Sequence, residues 1–173
     1  LISGANVYRS HCFENLNILI KDGIVADISP RIVPESGIAV YNFKGYNIFP
    51  GFVDVHVHLR EPGFSYKETI KTGSLAAAKS GYTTVCTMPN LDPVPDSAKH
   101  LEKQLDIIER DASINVIPYG SITVGRKGTE LSDMESLADK VVAFSDDGSG
   151  IQTEETMRRA MLEAKKLGKI IVA

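Results

Sequence analysis

The sequence has 173 residues, of which 43% are hydrophobic and 24% are charged, with a formal net charge of -3. These values are typical of a globular chain with room for one full domain core. The scattered basic residues argue against nucleic acid as a partner, and no apolar run reaches the roughly 20 residues of a membrane span. The first residues do not have the basic-then-apolar pattern of a secretion signal. Cys12 and Cys86 lie far apart without a CxxC spacing, which favours unpaired thiols in a reducing compartment, and we expect a cytoplasmic protein.

The first fifty residues are organised differently from the rest of the chain. Short β-branched and aromatic runs alternate there with Gly, Asn, Asp and Pro, a pattern typical of strands joined by turns. Asp22 and Gly23 separate two such runs and predict a tight hairpin turn. We therefore expect residues 1–48 to form a small antiparallel β-sheet domain.

From Phe49 onward, the pattern changes to alternating strands and helices. The predicted strands cover residues 50–59, 82–88, 114–124, 141–145 and 169–173. The predicted helices cover residues 65–81, 96–111, 130–140 and 153–168. Gly81 and Gly168 are placed to end two of these helices, and Ser132 is placed to cap the start of another.

Five strands that alternate with four helices imply parallel pairing with right-handed crossovers. No glycine-rich phosphate-binding sequence follows the first strand, which argues against a dinucleotide-binding fold. The sequence also stops inside the fifth predicted strand. The predicted fold class is therefore α/β, with residues 49–173 forming the first part of a (β/α)8 TIM-type barrel.

The first barrel strand carries apolar and polar side chains on opposite faces. It alternates strictly between Val53, Val55, Val57, Leu59 and Asp54, His56, His58, Arg60. In a barrel, helices cover the apolar face, and the polar face points toward the mouth where active sites lie. Two histidines at this spacing are about 6.5–7 Å apart at Cα, so both imidazoles can reach one metal ion. A solvated edge strand is the alternative, since His-x-His is a weak motif by itself.

A third candidate ligand follows the fourth predicted strand. Asp146 and Asp147 lie at the same predicted barrel end as the histidine pair. Turn and helix-capping chemistry also explains an Asp-Asp-Gly-Ser-Gly segment. Because the histidine pair would lie only two or three strands away, we expect at least one of these carboxylates to bind metal. The other two histidines, His11 and His100, are expected to face solvent.

Four segments in this order resemble the bacterial dihydroorotases of the amidohydrolase superfamily: DVHVHLREPG, GYTTVCTMPNLDPVPDS, VIPYGSITVG and AFSDDGSGIQ. The resemblance implies a cyclic amidohydrolase with one or two zinc ions. Its substrates would be dihydroorotate and N-carbamoyl-L-aspartate, which it would interconvert in de novo pyrimidine biosynthesis. The resemblance also suggests a homodimer, with aspartate transcarbamoylase as a candidate partner.

The resemblance assigns roles to individual residues. His56, His58 and Asp147 would bind metal, while Arg60, Asn90 and His58 would contact substrate, Arg60 and Asn90 at its carboxylate. Many relatives, hydantoinases and allantoinases among them, have a carboxylated lysine where this sequence has Asp147. The nearest lysine, Lys140, lies at the opposite end of the predicted strand, which favours the dihydroorotase branch.

The family supplies further ligands, two histidines and an aspartate that is also the general base, from barrel strands five, six and eight. These residues would follow Ala173, so residues 1–173 alone are expected to be inactive. Two alternatives stay open: another cyclic amidase, such as a hydantoinase, dihydropyrimidinase or allantoinase, and a non-catalytic amidohydrolase-like assembly partner. The intact set of His56, His58, Arg60 and Asp147 argues against the assembly partner.

Overall fold

The computed structural model describes residues 1–172. The chain separates into two compact units, Leu1–Pro50 and Gly51–Ala173. The last residue of the fifth predicted strand, Ala173, lies outside the described residues. None of the described helices has the length and hydropathy of a membrane span.

The first unit is a five-stranded sheet. Its strands are β1 (Ile2–Arg9), β2 (Cys12–Lys21), β3 (Ile24–Ser29), β4 (Tyr41–Asn42) and β5 (Asn47–Ile48). Neighbours β1, β2 and β3 are antiparallel, and the predicted turn is confirmed: Asp22 and Gly23 join β2 to β3 with φ angles of 51° and 75°. A small core of Ala5, Val7, Leu16 and Ile18 lies on one face of this sheet.

The prediction that this sheet is wholly antiparallel is wrong. Both β4 and β5 pair with β1 in the parallel direction. The physical reason is the connection through residues 30–40, which leaves β3 and returns on the opposite edge of β1. A crossover of this kind brings the chain back in the direction of the strand it joins.

The second unit contains a three-stranded parallel sheet, ordered β6 (Phe52–Val57), β7 (Tyr82–Thr87) and β8 (Asn115–Pro118). Within residues 1–172 the fourth and fifth predicted strands appear as single parallel bridges, from Gly120 to Phe144 and from Phe144 to Ile171. Regular pairing ends after β8 because the next main-chain donors bond elsewhere. The N–H groups of Ser121 and Val124 donate to Pro95 O and to Glu130 O, respectively. The N–H groups of Ile122 and Thr123 donate to the Asp146 side chain.

Four helices follow these strands: α1 (Ile70–Lys79), α2 (Ala98–Asp111), α3 (Met134–Leu137) and α4 (Glu154–Lys166). Thr69 caps α1, accepting from Thr72 N at 3.0 Å, so this helix begins five residues later than predicted. Gly81 follows the end of α1 with φ 88°, a left-handed conformation that glycine adopts without steric cost. The α4 prediction is confirmed within two residues at each end.

The predicted helix over residues 130–140 is much shorter in the structure, and its cap differs. The cap of α3 is Asp133, which accepts from Ser136 N at 3.4 Å, and a 3₁₀ turn over Ala138–Lys140 follows. Ser132 was the expected cap, but its buried hydroxyl donates to Ser121 O at 2.6 Å. The long-range bond replaces the local one, and the cap moves one residue later, to Asp133.

The apolar face of β6 is only partly covered. Leu59 is buried and Val57 packs beside it, in a cluster with Ile70 of α1 and Val85 of β7. Val53 and Val55 are 58% and 62% exposed. The prediction that helices cover this whole face is therefore wrong for its first half in the described residues, because β6 is an edge strand and the cluster lies at its C-terminal end.

Candidate metal centre

Three side chains that the sequence singled out lie together at the C-terminal end of the parallel sheet. His56 and His58 come from the end of β6, and Asp147 follows the segment that bridges to Gly120. Each offers a ligand atom, and these atoms lie within 4.8 Å of one another. Of the neighbouring pair Asp146 and Asp147, Asp147 is the residue that faces the histidines.

The separations within this cluster are those of metal ligands and not of hydrogen bonds. His56 Nε2 is 3.6 Å from Asp147 Oδ1, and His58 Nε2 is 3.8 Å from Asp147 Oδ2. Hydrogen bonds between such atoms would be about 2.7–3.2 Å long. Two ligands bound to one ion at about 2.0–2.2 Å stand roughly 3–4 Å apart. Two imidazole nitrogens and a carboxylate oxygen also form a donor set that suits zinc, so the residues fit the metal.

The surroundings of His58 favour its neutral form. Burial lowers the pKa of His58 and the positive charge of Arg60 lowers it further, while Asp147 acts in the opposite direction. Metal ions bind the neutral imidazole. The surroundings of His58 therefore favour the imidazole form to which metal ions bind.

Asp146 has a different environment from its neighbour. It is 3% exposed, and its Oδ1 accepts from Ile122 N at 2.8 Å and from Thr123 N at 3.1 Å. The hydroxyl of Thr123 donates to Oδ2. Asp146 thus secures the loop after β8, and its carboxylate has no free oxygen to offer the histidine pair.

Replacing Asp146 with alanine is expected to destabilise the full-length protein by about 2–5 kcal/mol, because several buried donors lose their acceptor and each costs about 1–3 kcal/mol. Urea unfolding followed by circular dichroism measures this. Asp133→Ala is the matched control: it removes an exposed cap with one long bond, for which we expect about 0.5–1 kcal/mol. Equal stability of the Asp146→Ala variant and the wild type would contradict the assignment.

Arg60 lies immediately after this strand end, with a half-buried side chain. Its φ of 58° is left-handed. Such conformations are uncommon for non-glycine residues and are found frequently at functional sites. Within the described residues, none of the salt bridges involves its guanidinium. A guanidinium with no protein carboxylate can grip an incoming one through two parallel hydrogen bonds.

Asn90 makes a contact that the sequence did not indicate. Its Nδ2 donates to Asp147 O at 2.7 Å and to Asp147 Oδ2 at 2.9 Å. Its Oδ1 is buried and has no hydrogen-bond partner among the described residues. In this arrangement the amide holds Asp147, and donation to a substrate carboxylate would require the amide to turn.

Sequence reasoning missed one residue of the site altogether. Arg126 follows β8 by several residues, and its Nη2 donates to Asp147 O and, at 2.9 Å, to Ser149 Oγ. No motif marks this arginine; its only local signal is the preceding Gly125, which predicts a turn. Asp54 of β6 accepts from His56 N at 3.0 Å.

The expectation that His100 faces solvent is wrong. It is half-buried, and its Nδ1 lies 2.7 Å from Asp96 Oδ1. Asp96 Oδ2 accepts from Gly125 N at 2.9 Å. The physical reason is that Asp96 precedes α2 by two residues, which brings its carboxylate one helical turn from His100.

Solved structures share this fold. An L-hydantoinase from Arthrobacter aurescens matches 98% of this chain and 39% of its own, with a TM-score of 0.78 and 19% identity. A D-hydantoinase from Thermus sp. matches with the same TM-score and 21% identity, over 98% of this chain and 38% of its own. At this level of identity the likeness concerns the fold: a mixed α/β unit with a small sheet domain.

Curated relatives are much closer in sequence. A dihydroorotase from Fusobacterium nucleatum is 50% identical over 174 residues, which is 100% of this chain and 40% of the relative. A dihydroorotase from Staphylococcus aureus is 48% identical over 100% of this chain and 41% of its own length. The chain thus spans about two fifths of the length of these relatives. A family model described as dihydro-orotase-like matches residues 45–173, and the chain therefore belongs to the dihydro-orotase-like family.

Proposed function

We propose that the full-length protein is a zinc-dependent dihydroorotase. It would open and close the cyclic amide that relates dihydroorotate to N-carbamoyl-L-aspartate, a step of pyrimidine biosynthesis. The observation that carries this proposal is the convergence of His56, His58 and Asp147 in a chain half identical to relatives named dihydroorotase.

We propose the (β/α)8 barrel as the architecture of the second unit, with residues 49–173 as its first part and residues 1–48 as a sheet domain. The parallel order of β6, β7 and β8 supports it, together with the parallel bridges that continue through Phe144 and Ile171. In such a barrel the C-terminal strand ends form the mouth. His56 and His58 lie at the C-terminal end of β6, and Asp147 follows the bridge at Phe144 on the same side.

The roles of the described residues follow from their geometry. A zinc ion held by His56, His58 and Asp147 would lower the pKa of a water molecule and polarise the amide carbonyl. Arg60 would bind the substrate carboxylate and so orient the ring, while Asn90 keeps the Asp147 carboxylate turned toward the histidines. Oriented binding of this kind lowers the entropic part of the barrier. We assign the general base to none of the described residues.

Another cyclic amidase is the second candidate function, because the solved structures with this fold include hydantoinases. Two observations disfavour it. The identity to those enzymes is 19% and 21%, against 50% to a dihydroorotase. The position expected for a bridging carboxylated lysine holds Asp147, whose shorter side chain already faces both imidazoles.

The state and location of the protein belong to the same proposal. We propose a cytoplasmic homodimer, with aspartate transcarbamoylase as a candidate partner, on the family resemblance. Light scattering of the purified full-length protein, with and without a transcarbamoylase, measures both associations. A monomer at micromolar concentration, with no shift in mass on mixing, would argue against them.

Substrate comparison tests the proposed function. The zinc-loaded full-length protein is assayed with dihydroorotate, dihydrouracil, hydantoin and allantoin. Dihydroorotate alone of these carries the ring carboxylate for Arg60, so we expect its kcat/KM to exceed the others by about 10- to 100-fold or more. A preference for dihydrouracil or hydantoin would favour the second candidate. A folded, zinc-loaded protein that turns over none of them would favour a non-catalytic assembly partner.

A further inference from the structure

We propose that Arg126 is a positioning residue that fixes Asp147 for metal binding. This inference rests on the proposed metal-dependent function and deepens it. Among the described residues Arg126 donates to Asp147 and Ser149 and forms no hydrogen bond with either histidine of the cluster, so it would act through Asp147. The proposal stands on three observations: the hydrogen bonds that meet at the Asp147 carbonyl, the donation of Arg126 to that carbonyl and not to the carboxylate, and the left-handed backbone of Arg126.

The main-chain carbonyl of Asp147 accepts two side-chain donors. One is Arg126 Nη2 and the other is Asn90 Nδ2, at 2.7 Å. The same Arg126 nitrogen also donates to Ser149 Oγ at 2.9 Å. It therefore links Asp147 to Ser149 within the turn that begins at Asp147. A carbonyl held by two donors fixes the rotation of its peptide plane, and this rotation sets the direction of the Asp147 side chain.

Arg126 donates to the Asp147 carbonyl and not to its carboxylate. Asp147 Oδ1 faces His56, and Oδ2 faces His58 while it accepts from Asn90. A guanidinium bound directly to that carboxylate would compete with a metal ion for the same oxygens. Arg126 therefore offers orientation without competition, which is what residues behind a metal ligand supply.

The backbone of Arg126 points to the same role. Its φ is 56°, and among the described residues from Gly51 onward only Arg60 is another non-glycine residue with positive φ. Such conformations cost energy and persist where the surroundings impose them, often at functional sites. In this turn Gly125 N donates to Asp96 Oδ2 at 2.9 Å and Arg126 N donates to Thr123 O at 3.0 Å.

Two features of Arg126 lower stability rather than raise it. The side chain is half-buried, and its buried Nε has no hydrogen-bond partner among the described residues. An unpaired buried donor lowers stability, and so does the left-handed backbone. The unpaired Nε and the strained backbone of Arg126 are better explained by its hydrogen bond to Asp147, which holds that residue in place.

The test compares zinc affinity of full-length variants by competition with a chromophoric chelator, and the visible spectrum of the cobalt(II) forms. Arg126→Gln is expected to weaken zinc binding about tenfold or more and to change the cobalt spectrum. Arg126→Lys should fall between Gln and wild type, because an ammonium can donate to the same oxygens but lacks the rigid planar geometry of the guanidinium. Arg158→Gln is the matched control: this exposed arginine of α4 pairs with Glu155 and should leave both readouts unchanged.

The outcomes separate the two proposals. A wild-type protein that does not bind zinc would overturn the proposed function and this inference with it. A wild-type protein that binds zinc, together with an Arg126→Gln variant of equal affinity and identical cobalt spectrum, would overturn this inference alone. If Arg126→Gln does not fold, Arg126→Lys decides: weaker binding with an altered spectrum supports the role, and wild-type values contradict it.

Discussion

Replacing His56 and His58 together with alanine is expected to remove zinc from the full-length protein and to abolish dihydroorotate hydrolysis. Structural zinc sites bind with about 10–16 kcal/mol shared among four ligands, so two lost ligands cost on the order of 5 kcal/mol, or about 10³- to 10⁴-fold in affinity. Metal analysis of the purified variant, beside an activity assay with added zinc, measures the effect. The physical reason is the geometry of the pair, since both Nε2 atoms face the Asp147 carboxylate.

The matched control for this double variant is His11→Asn. His11 is an exposed histidine in the turn between β1 and β2, with φ 68°, and asparagine tolerates this left-handed conformation. The control variant should keep wild-type zinc content and activity. If the His56→Ala, His58→Ala protein bound as much zinc as the wild type, the metal would not be bound at this site.

The second large effect is expected at Arg60. If its guanidinium grips the substrate carboxylate, Arg60→Lys should mainly raise KM for dihydroorotate, by about 10- to 100-fold, since a charge-assisted contact of this kind is worth about 1.5–3 kcal/mol. Lysine keeps the charge but lacks the planar two-donor geometry. Arginine and lysine bear the same backbone strain at position 60, where φ is 58°, so strain does not affect the comparison of the variant with the wild type. Steady-state kinetics of the full-length variant provides KM and kcat separately.

Two further measurements sharpen this result. Arg110→Lys, on the exposed face of α2 where Arg110 pairs with Asp111, should leave KM unchanged. Dihydrouracil lacks the carboxylate, so its slow turnover should be insensitive to Arg60→Lys. Wild-type kinetics of the Arg60→Lys variant with dihydroorotate would reassign Arg60 to a structural role.

Local sequence signals predicted the parts of the fold that local physics decides. The hairpin at Asp22 and Gly23 follows from the φ angles that tight turns require. The bounds of α4 follow from its caps: Thr153 accepts from Thr156 N at 3.1 Å, and Gly168 has φ 67°. The alternation in β6 likewise predicted that His56 and His58 would share one face of a strand.

Long-range hydrogen bonds decided what the sequence could not. Composition left Asp146 and Asp147 equivalent, and the distinction comes from Ile122 and Thr123, more than twenty positions earlier, which occupy the Asp146 carboxylate. The cap of α3 moved for the same reason, because Ser132 bonds to Ser121 instead of its own helix.

Arg126 shows the same limit at the site itself. Its partner Asp147 lies twenty-one positions away, and no pattern in the intervening sequence predicts that the two meet. Asn90 was named for a substrate contact, yet its nearest acceptor is a residue fifty-seven positions later. Both assignments require the tertiary structure, which brings the ends of separate elements to one edge of the sheet.

The central claim is that His56, His58 and Asp147 form a zinc site, and a crystal structure of the zinc-loaded full-length protein with anomalous data at the zinc edge tests it most directly. We predict an anomalous peak bonded to both imidazole nitrogens at about 2.0–2.1 Å, with an Asp147 carboxylate oxygen among the ligands. Zinc bound elsewhere, with His56 and His58 free of metal, would contradict the account.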